Sequence, residues 1–151
     1  MEHLLQLFVY LPLLAFFISL FINGKKEKPL ANIAIASIAI HSTILLIITI
    51  LWIVNHCATI DYKHLILYKS AQFEFFISFY FDKTTAVFAL VGSLISLSVT
   101  IFSKFYMHRD EGYKRFFNTL LFFYLGYNFV IFSGNFETLF IGWEILGLTS
   151  F

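Results

Sequence analysis

The sequence predicts an all-α fold, a polytopic transmembrane helix bundle, and three observations lead there. Of its 151 residues, 60% are hydrophobic and only 13% are charged, against about 45–50% and about 25% in soluble domains. The apolar residues gather in runs of membrane-crossing length, separated by short charged links. A chain of this size leaves much of its surface exposed on folding, so the excess apolar side chains need lipid around them. Together these features exclude a disordered chain and an ordinary soluble enzyme.

The first run covers residues 4–22, broken only by Gln6 and Pro12. Proline is tolerated in a membrane helix because a neighbouring helix can satisfy the carbonyl it frees. The N-terminal Met1-Glu2-His3 lacks the basic region of a cleaved signal peptide, so this run is expected to stay as a helix. Asn23-Gly24 stops it, and residues 25–29 form a charged link. Residues 30–54 make the second run, without a formal charge. Residues 55–80 are mixed and read as an outer loop. Within it Phe73, Phe75, Ile77 and Phe79 alternate with Glu74, Phe76, Ser78 and Tyr80, the period of an extended or hairpin segment at the membrane interface. Residues 81–103 form the third run, 104–115 a charged loop, and 116–133 the fourth run. After a tight turn at 134–137, residues 138–151 begin a fifth. Its 14 residues reach only about 21 Å at about 1.5 Å each, short of the far side of a bilayer. The expectation is an N-terminal piece of a longer protein, with a re-entrant half-helix as the alternative. The organisation expected is 1–54 for the first two helices, 55–80 for the outer loop and 81–151 for the core of helices three, four and truncated five.

Charge gives the orientation. Lys25, Lys26, Lys28, Lys104, Arg109, Lys114 and Arg115 fall on the loops after the first and third helices, and only Lys63, Lys69 and Lys83 on the other side. The basic side is expected to face the cytoplasm or matrix. The net charge of +1 gives no strong field for an anionic partner, and no nucleic acid is expected. The lone Cys57 excludes an internal disulfide framework and a cysteine-ligated metal or cluster, and no cofactor is expected.

Chemistry-bearing residues inside the runs are few. Ser93, Ser96, Thr100 and Ser103 fall on one helix face, a pattern that lets helices approach and hydrogen-bond. Tyr124, Tyr127 and Asn128 form a similar set, read as packing or as a polar lining. His41, near the middle of its span, is a bundle-facing hydrogen-bonder or a proton relay. Asp82 is a helix cap or a further part of the lining. The phenylalanines are read as lipid-facing filler and interfacial anchors. Glu144 differs from all of these. It lies seven residues beyond Glu137, about 10 Å down a helix, and a charge at such depth costs at least about 2.5–3.5 kcal/mol. It must be protonated, paired or wetted, and apart from Lys83 at the mouth of the third run no Lys or Arg lies inside the five spans. A carboxyl whose charge depends on a neighbour can load and release a proton.

Several of these residues also carry a family resemblance. Phe81-Asp82, Tyr106-Met107, Gly112-Tyr113, Arg115-Phe116-Phe117, Asn135, Gly142-Trp143-Glu144, Gly147-Leu148 and Ser150, with Leu11-Pro12-Leu13 earlier, resemble the proton-translocating antiporter-like subunits. That family includes subunit L of respiratory NADH:quinone oxidoreductase (complex I), bacterial or mitochondrial, and the large subunit of multisubunit Na+/H+ antiporters. The resemblance implies an all-helical bundle of about fourteen helices. In it the glutamate matching Glu144 lies on the fifth helix, pairs with a lysine on a later one and couples charge movement to proton passage. It also implies other membrane subunits as partners, protons or Na+ as cargo, redox chemistry in other subunits of the translocase, and the bacterial cytoplasmic or mitochondrial inner membrane as location. A subunit of a Na+/H+ antiporter or of a bicarbonate-uptake complex is the alternative within the superfamily. A non-transporting membrane scaffold is the alternative outside it.

Overall fold

Strand propensity and helical runs meet in this chain at one place, and that junction organises the rest. A computed structural model describes residues 6–24, 26–70 and 73–151. Met1-Glu2-His3, the start of the first predicted run and Lys25 lie outside the described residues. Among those described there are five helices: α1 (Leu7–Phe21), α2 (Glu27–Val54), α3 (Lys83–Tyr106), α4 (Tyr113–Ile131) and α5 (Phe136–Ser150). Between α2 and α3 lies a hairpin of β1 (Ile60–Lys69) and β2 (Glu74–Phe81).

The hairpin corrects the all-α expectation. Within the expected outer loop the extended or hairpin segment is a hairpin, in which β1 pairs antiparallel with β2 from Ile60 opposite Phe81 to Lys69 opposite Glu74. The alternation of 73–80 signalled β2, whereas β1 was hidden in Leu65-Ile66-Leu67, which carries no clean period. Irregularities between Lys63 and Leu65 and between Ile66 and Tyr68 break that strand's pattern. The third helix begins at Lys83 rather than 81, since Phe81 completes β2. The predicted loop 104–115 shrinks to the few residues between Tyr106 and Tyr113.

The hairpin is tied down by its inner strand. The Tyr80 N–H donates to Phe132 O at 2.8 Å, and the Gly134 N–H donates to Ser78 O at 2.9 Å. A β-bridge of Phe79 with Ser133 thus joins β2 to the α4–α5 turn. Beneath it, Phe8 stacks on Phe132 at 4.9 Å and Trp52 meets Phe81 edge-on at 5.2 Å. Phe8, Phe79, Phe81, Phe117 and Phe132 are buried. For these five this corrects the reading of phenylalanine as lipid-facing filler, because they build the core, whereas Phe17, Phe88, Phe102 and Phe140 are exposed.

At the other end, Ala15, Leu30, Ala31, Ala34, Tyr113, Phe117 and Leu121 form a second core cluster. Polar contacts tie the helix ends together there. Lys114 Nζ donates to Leu20 O at 2.9 Å, capping α1, and Lys104 Nζ donates to Asn32 Oδ1 at 2.9 Å.

Helices α2 and α3 are long and apolar enough to cross a membrane, by length and composition. Helix α1 is apolar but shorter. Helix α3 is turned inside out relative to a soluble helix. Thr85, Ala86, Ala89, Ser93, Thr100 and Ser103 are buried, whereas Val87, Phe88, Val91, Leu94, Ile95 and Phe102 are exposed. The predicted small-polar face therefore faces the protein, with Ser96 half-buried. Ser93 and Thr100 satisfy themselves by donating to the carbonyls of Leu90 and Ser96.

Candidate functional site

Helix α5, which carries Glu144, is positioned by its first turn. Asn135 caps it, its side chain accepting from the Thr138 N–H at 3.1 Å. The same side chain donates from Nδ2 to Phe76 O at 2.7 Å, and Thr138 Oγ1 accepts the Ser78 N–H at 3.0 Å. The Asn–Thr pair thus fastens the helix start to β2, and a cap of this kind contributes about 1 kcal/mol.

One turn below Thr138, Gly142 presses α5 against α4. A Cβ there would lie 2.7 Å from the Val130 nitrogen and 2.8 Å from Phe129 Cβ. From the other helix, a Cβ on Gly126 would lie 2.8 Å from Ile145 Cγ2. Two small residues let the backbones touch. Within α5 only Thr138 and Gly142 are buried.

The opposite face of α5 is open. Trp143 is 68% and Leu148 72% exposed, with Phe140 beside them, and Glu144 is exposed among them. The Gly142-Trp143-Glu144 block therefore divides its labour. Glycine seats the helix on α4, and the next two residues point away from it. No hydrogen bond or ion pair reaches Glu144 from any described residue.

The remaining candidates separate into distinct places. His41 of α2 and Tyr124 of α4 are both buried, with the Tyr124 hydroxyl 2.6 Å from His41 Nδ1 and the rings edge-to-face at 5.0 Å. Ser42 and Asn128 are the polar neighbours of that hydroxyl, and Asn128 Nδ2 also donates to Tyr124 O at 2.7 Å. His41 Nε2 is buried without a hydrogen bond of normal geometry, and the backbone it faces is that of Phe8. Pro12 explains the pairing. It has no N–H to give the Phe8 carbonyl four residues earlier, so that carbonyl is free to face the imidazole.

Tyr127 belongs elsewhere. Its hydroxyl donates to Phe88 O of α3 at 2.6 Å and fills the space above Gly92, where a Cβ would lie 2.0 Å away. Asp82 caps α3, Oδ1 accepting the Thr85 N–H at 2.7 Å. The structure thus brings His41, Tyr124 and Asn128 together and leaves Glu144, Tyr127 and Asp82 apart. A cleft of about 130 Å³ between α3 and α4 adjoins Tyr124, lined by Ile95, Ser96, Val99, Leu120 and Phe123.

Two contacts were missed in the sequence. Thr138 was not singled out, although Asn135 before an apolar run is itself a helix-start signal. The second joins Glu27 to His108 at 2.6 Å across 81 residues, a separation no local pattern reveals.

Known proteins resemble this chain in both sequence and fold. Residues 68–117 match the family model described as NADH-Ubiquinone oxidoreductase (complex I), chain 5 N-terminus. NADH-quinone oxidoreductase subunit L of Neisseria meningitidis is 39% identical over 79 residues, 52% of this chain and 12% of that protein. NADH-ubiquinone oxidoreductase chain 5 of Petromyzon marinus is 37% identical over 81 residues, 54% of this chain and 14% of that protein. A chain of the archaeal membrane-bound sulfane sulfur reductase, a respiratory membrane complex, superposes with TM-score 0.72 over 97% of this chain and 29% of that one, at 18% identity. The chain therefore shares its fold with part of that chain. The matched segment is similar to the antiporter-like subunits of complex I, and the chain spans 12–14% of the length of the curated relatives named here.

Proposed function

We propose that this chain is part of a multi-pass, ion-translocating membrane subunit of an energy-converting complex of the NADH:quinone oxidoreductase type, with Glu144 as its coupling carboxylate. The observation that carries this reading is the placement of Glu144. It stands on the open face of a mostly apolar helix that Asn135, Thr138 and Gly142 hold firmly in place. A carboxyl on such a face, surrounded by Phe140, Trp143 and Leu148, needs a cation or a proton from elsewhere. The cation proposed is a lysine from a helix outside the described segment. Approach of that lysine favours the carboxylate and its withdrawal favours the acid, which turns charge movement into proton uptake and release. Protons are the proposed cargo, and other membrane subunits the partners that move the charge.

The test is Glu144→Gln in the subunit within its assembled complex. Glutamine keeps the shape but cannot ionise. Proton pumping, read as ΔpH formation in membrane vesicles, should fall at least tenfold while the complex still assembles on a native gel. Glu144→Asp should retain part of the activity, and Glu111→Gln in the exposed α3–α4 loop should leave it unchanged. Full pumping by Glu144→Gln would reduce Glu144 to a packing residue and favour a scaffold.

A further inference from the structure

At the basic end of the bundle, a pocket of about 270 Å³ is lined by Glu27, Lys28, Lys104, Phe105, His108 and Tyr113. Its charges are unequally satisfied. The Glu27 carboxylate is turned onto the α3–α4 loop, where one oxygen meets His108 Nδ1 at 2.6 Å. The other accepts the Arg109 N–H at 3.1 Å. Arg109 sits at φ 67°, the left-handed conformation that ends α3 and aims that N–H at Glu27. Lys104 meets only the neutral Asn32, so its charge is not compensated. Lys28 has no ion-pair or hydrogen-bond partner among the described residues. Two unneutralised ammonium groups therefore share one pocket with a carboxylate already engaged.

The pocket's outer wall is aromatic. Phe105 is 73% exposed, and next to it Phe102 stacks on Tyr106 at 5.5 Å, both rings exposed. Further along α3, Leu94, Ile95 and Val99 continue the apolar surface. A small cationic recess opening onto a long apolar strip matches one kind of molecule, with an anionic head and hydrocarbon tails. Free phosphate in water would gain nothing from the strip.

We propose that this pocket binds the phosphate headgroup of an anionic phospholipid, with its acyl chains lying along the exposed face of α3. The inference rests on the membrane reading above. Lysine stems lie along apolar surface while their heads stay polar, and basic pockets between membrane helices on the cytoplasmic or matrix side hold anionic headgroups. Each lysine should contribute on the order of a fivefold preference for the charged lipid.

The experiment places p-benzoylphenylalanine at Phe105 of the subunit in its complex, in nanodiscs of phosphatidylcholine with a minor share of phosphatidylglycerol. After irradiation the cross-linked lipids are identified by mass spectrometry. Phosphatidylglycerol adducts should exceed that lipid's mole share several-fold. Lys28→Gln, which removes no contact within the protein, should lower the excess. Adding Lys104→Gln should bring it to the mole share, and Lys83→Gln at the opposite end should leave it intact. Lys104→Arg should restore the excess if Lys104→Gln disturbs the Asn32 contact. Adducts at the mole share in the unmodified protein, or an excess indifferent to both lysines, would overturn the proposal. Absence of adducts with either lipid would overturn it differently, by showing that this face of α3 does not meet the membrane.

Discussion

At the scale of single residues, the buried contacts carry the sharpest consequences. Tyr124→Phe removes the hydroxyl at His41 Nδ1 and leaves both imidazole nitrogens without a normal hydrogen bond. An unsatisfied buried polar group costs about 1–3 kcal/mol, so the thermal midpoint of the detergent-solubilised subunit should fall. His41→Phe together with Tyr124→Phe removes both partners and should recover part of that loss, a non-additivity that a double-mutant cycle measures. Had His41 been unpaired, the two losses would simply add. A different consequence attaches to Glu74 on the hairpin, which lies 2.5 Å from Lys63 and 2.6 Å from Lys69. Hydrogen bonds from both ammonium groups hold its carboxyl down at about 2, below the usual 4.5, and the bond to Glu74 raises the Lys69 ammonium in turn. The depressed carboxyl stabilises the hairpin fully above pH 4.5, and the contribution disappears as pH falls towards 2. A ¹³C-carboxyl titration should therefore give Glu74 a midpoint near 2 and show the hairpin unchanged between pH 7 and 5. A midpoint at 4.5 would mean that the two lysines do not hold it in solution.

At the scale of elements, what the sequence revealed depended on how local the determining interaction was. Residues 30–54 and 81–103 announced α2 and α3 because a long apolar run, charged at most at its mouth by Asp82 and Lys83, has few other folds open to it. Asp82 could be read as a cap because the acceptor and its N–H lie three residues apart. Strand β1 was missed because its shape comes from pairing with β2, and its two irregularities erase the alternation that would betray it. The depth of Glu144 followed from helix geometry, but the direction it faces depends on Gly142 touching Val130, a contact made by the whole fold. That contact yields a test. Gly142→Ala would place a Cβ 2.7 Å from the backbone nitrogen of Val130. Backbone cannot move aside as a side chain can, so α5 must shift away from α4, at a cost of about 1–3 kcal/mol for overpacking. Thermal stability should drop, and adding Val130→Ala should not restore it, because the nearest clashing atom belongs to the main chain. Recovery in the double variant would show that side-chain crowding alone had been at fault.

At the scale of the whole molecule, the fold sorts its charges by end. Lys114 reaches Leu20, Lys104 reaches Asn32 and Glu27 reaches His108, which gathers the ends of α1, α2, α3 and α4 at one pole. Lys26, Lys28, Lys104, Arg109, Lys114 and Arg115 lie at or near this pole. Lys63, Lys69 and Lys83 belong to the hairpin and the start of α3, at the other pole, where Trp52 meets Phe81. Basic residues are retained on the cytoplasmic or matrix side of short loops, so the first pole should face inward and the hairpin outward. In a Cys57→Ser background, Lys26→Cys and Glu111→Cys should react with an impermeant maleimide only after inside-out vesicles are prepared. Ser70→Cys at the hairpin turn should react from the opposite side. Labelling of all three from one side would mean that α2 and α3 do not both cross the bilayer. Exchange of the two patterns would keep the crossings but invert the orientation, and place Glu144 on a helix that enters from the inner side.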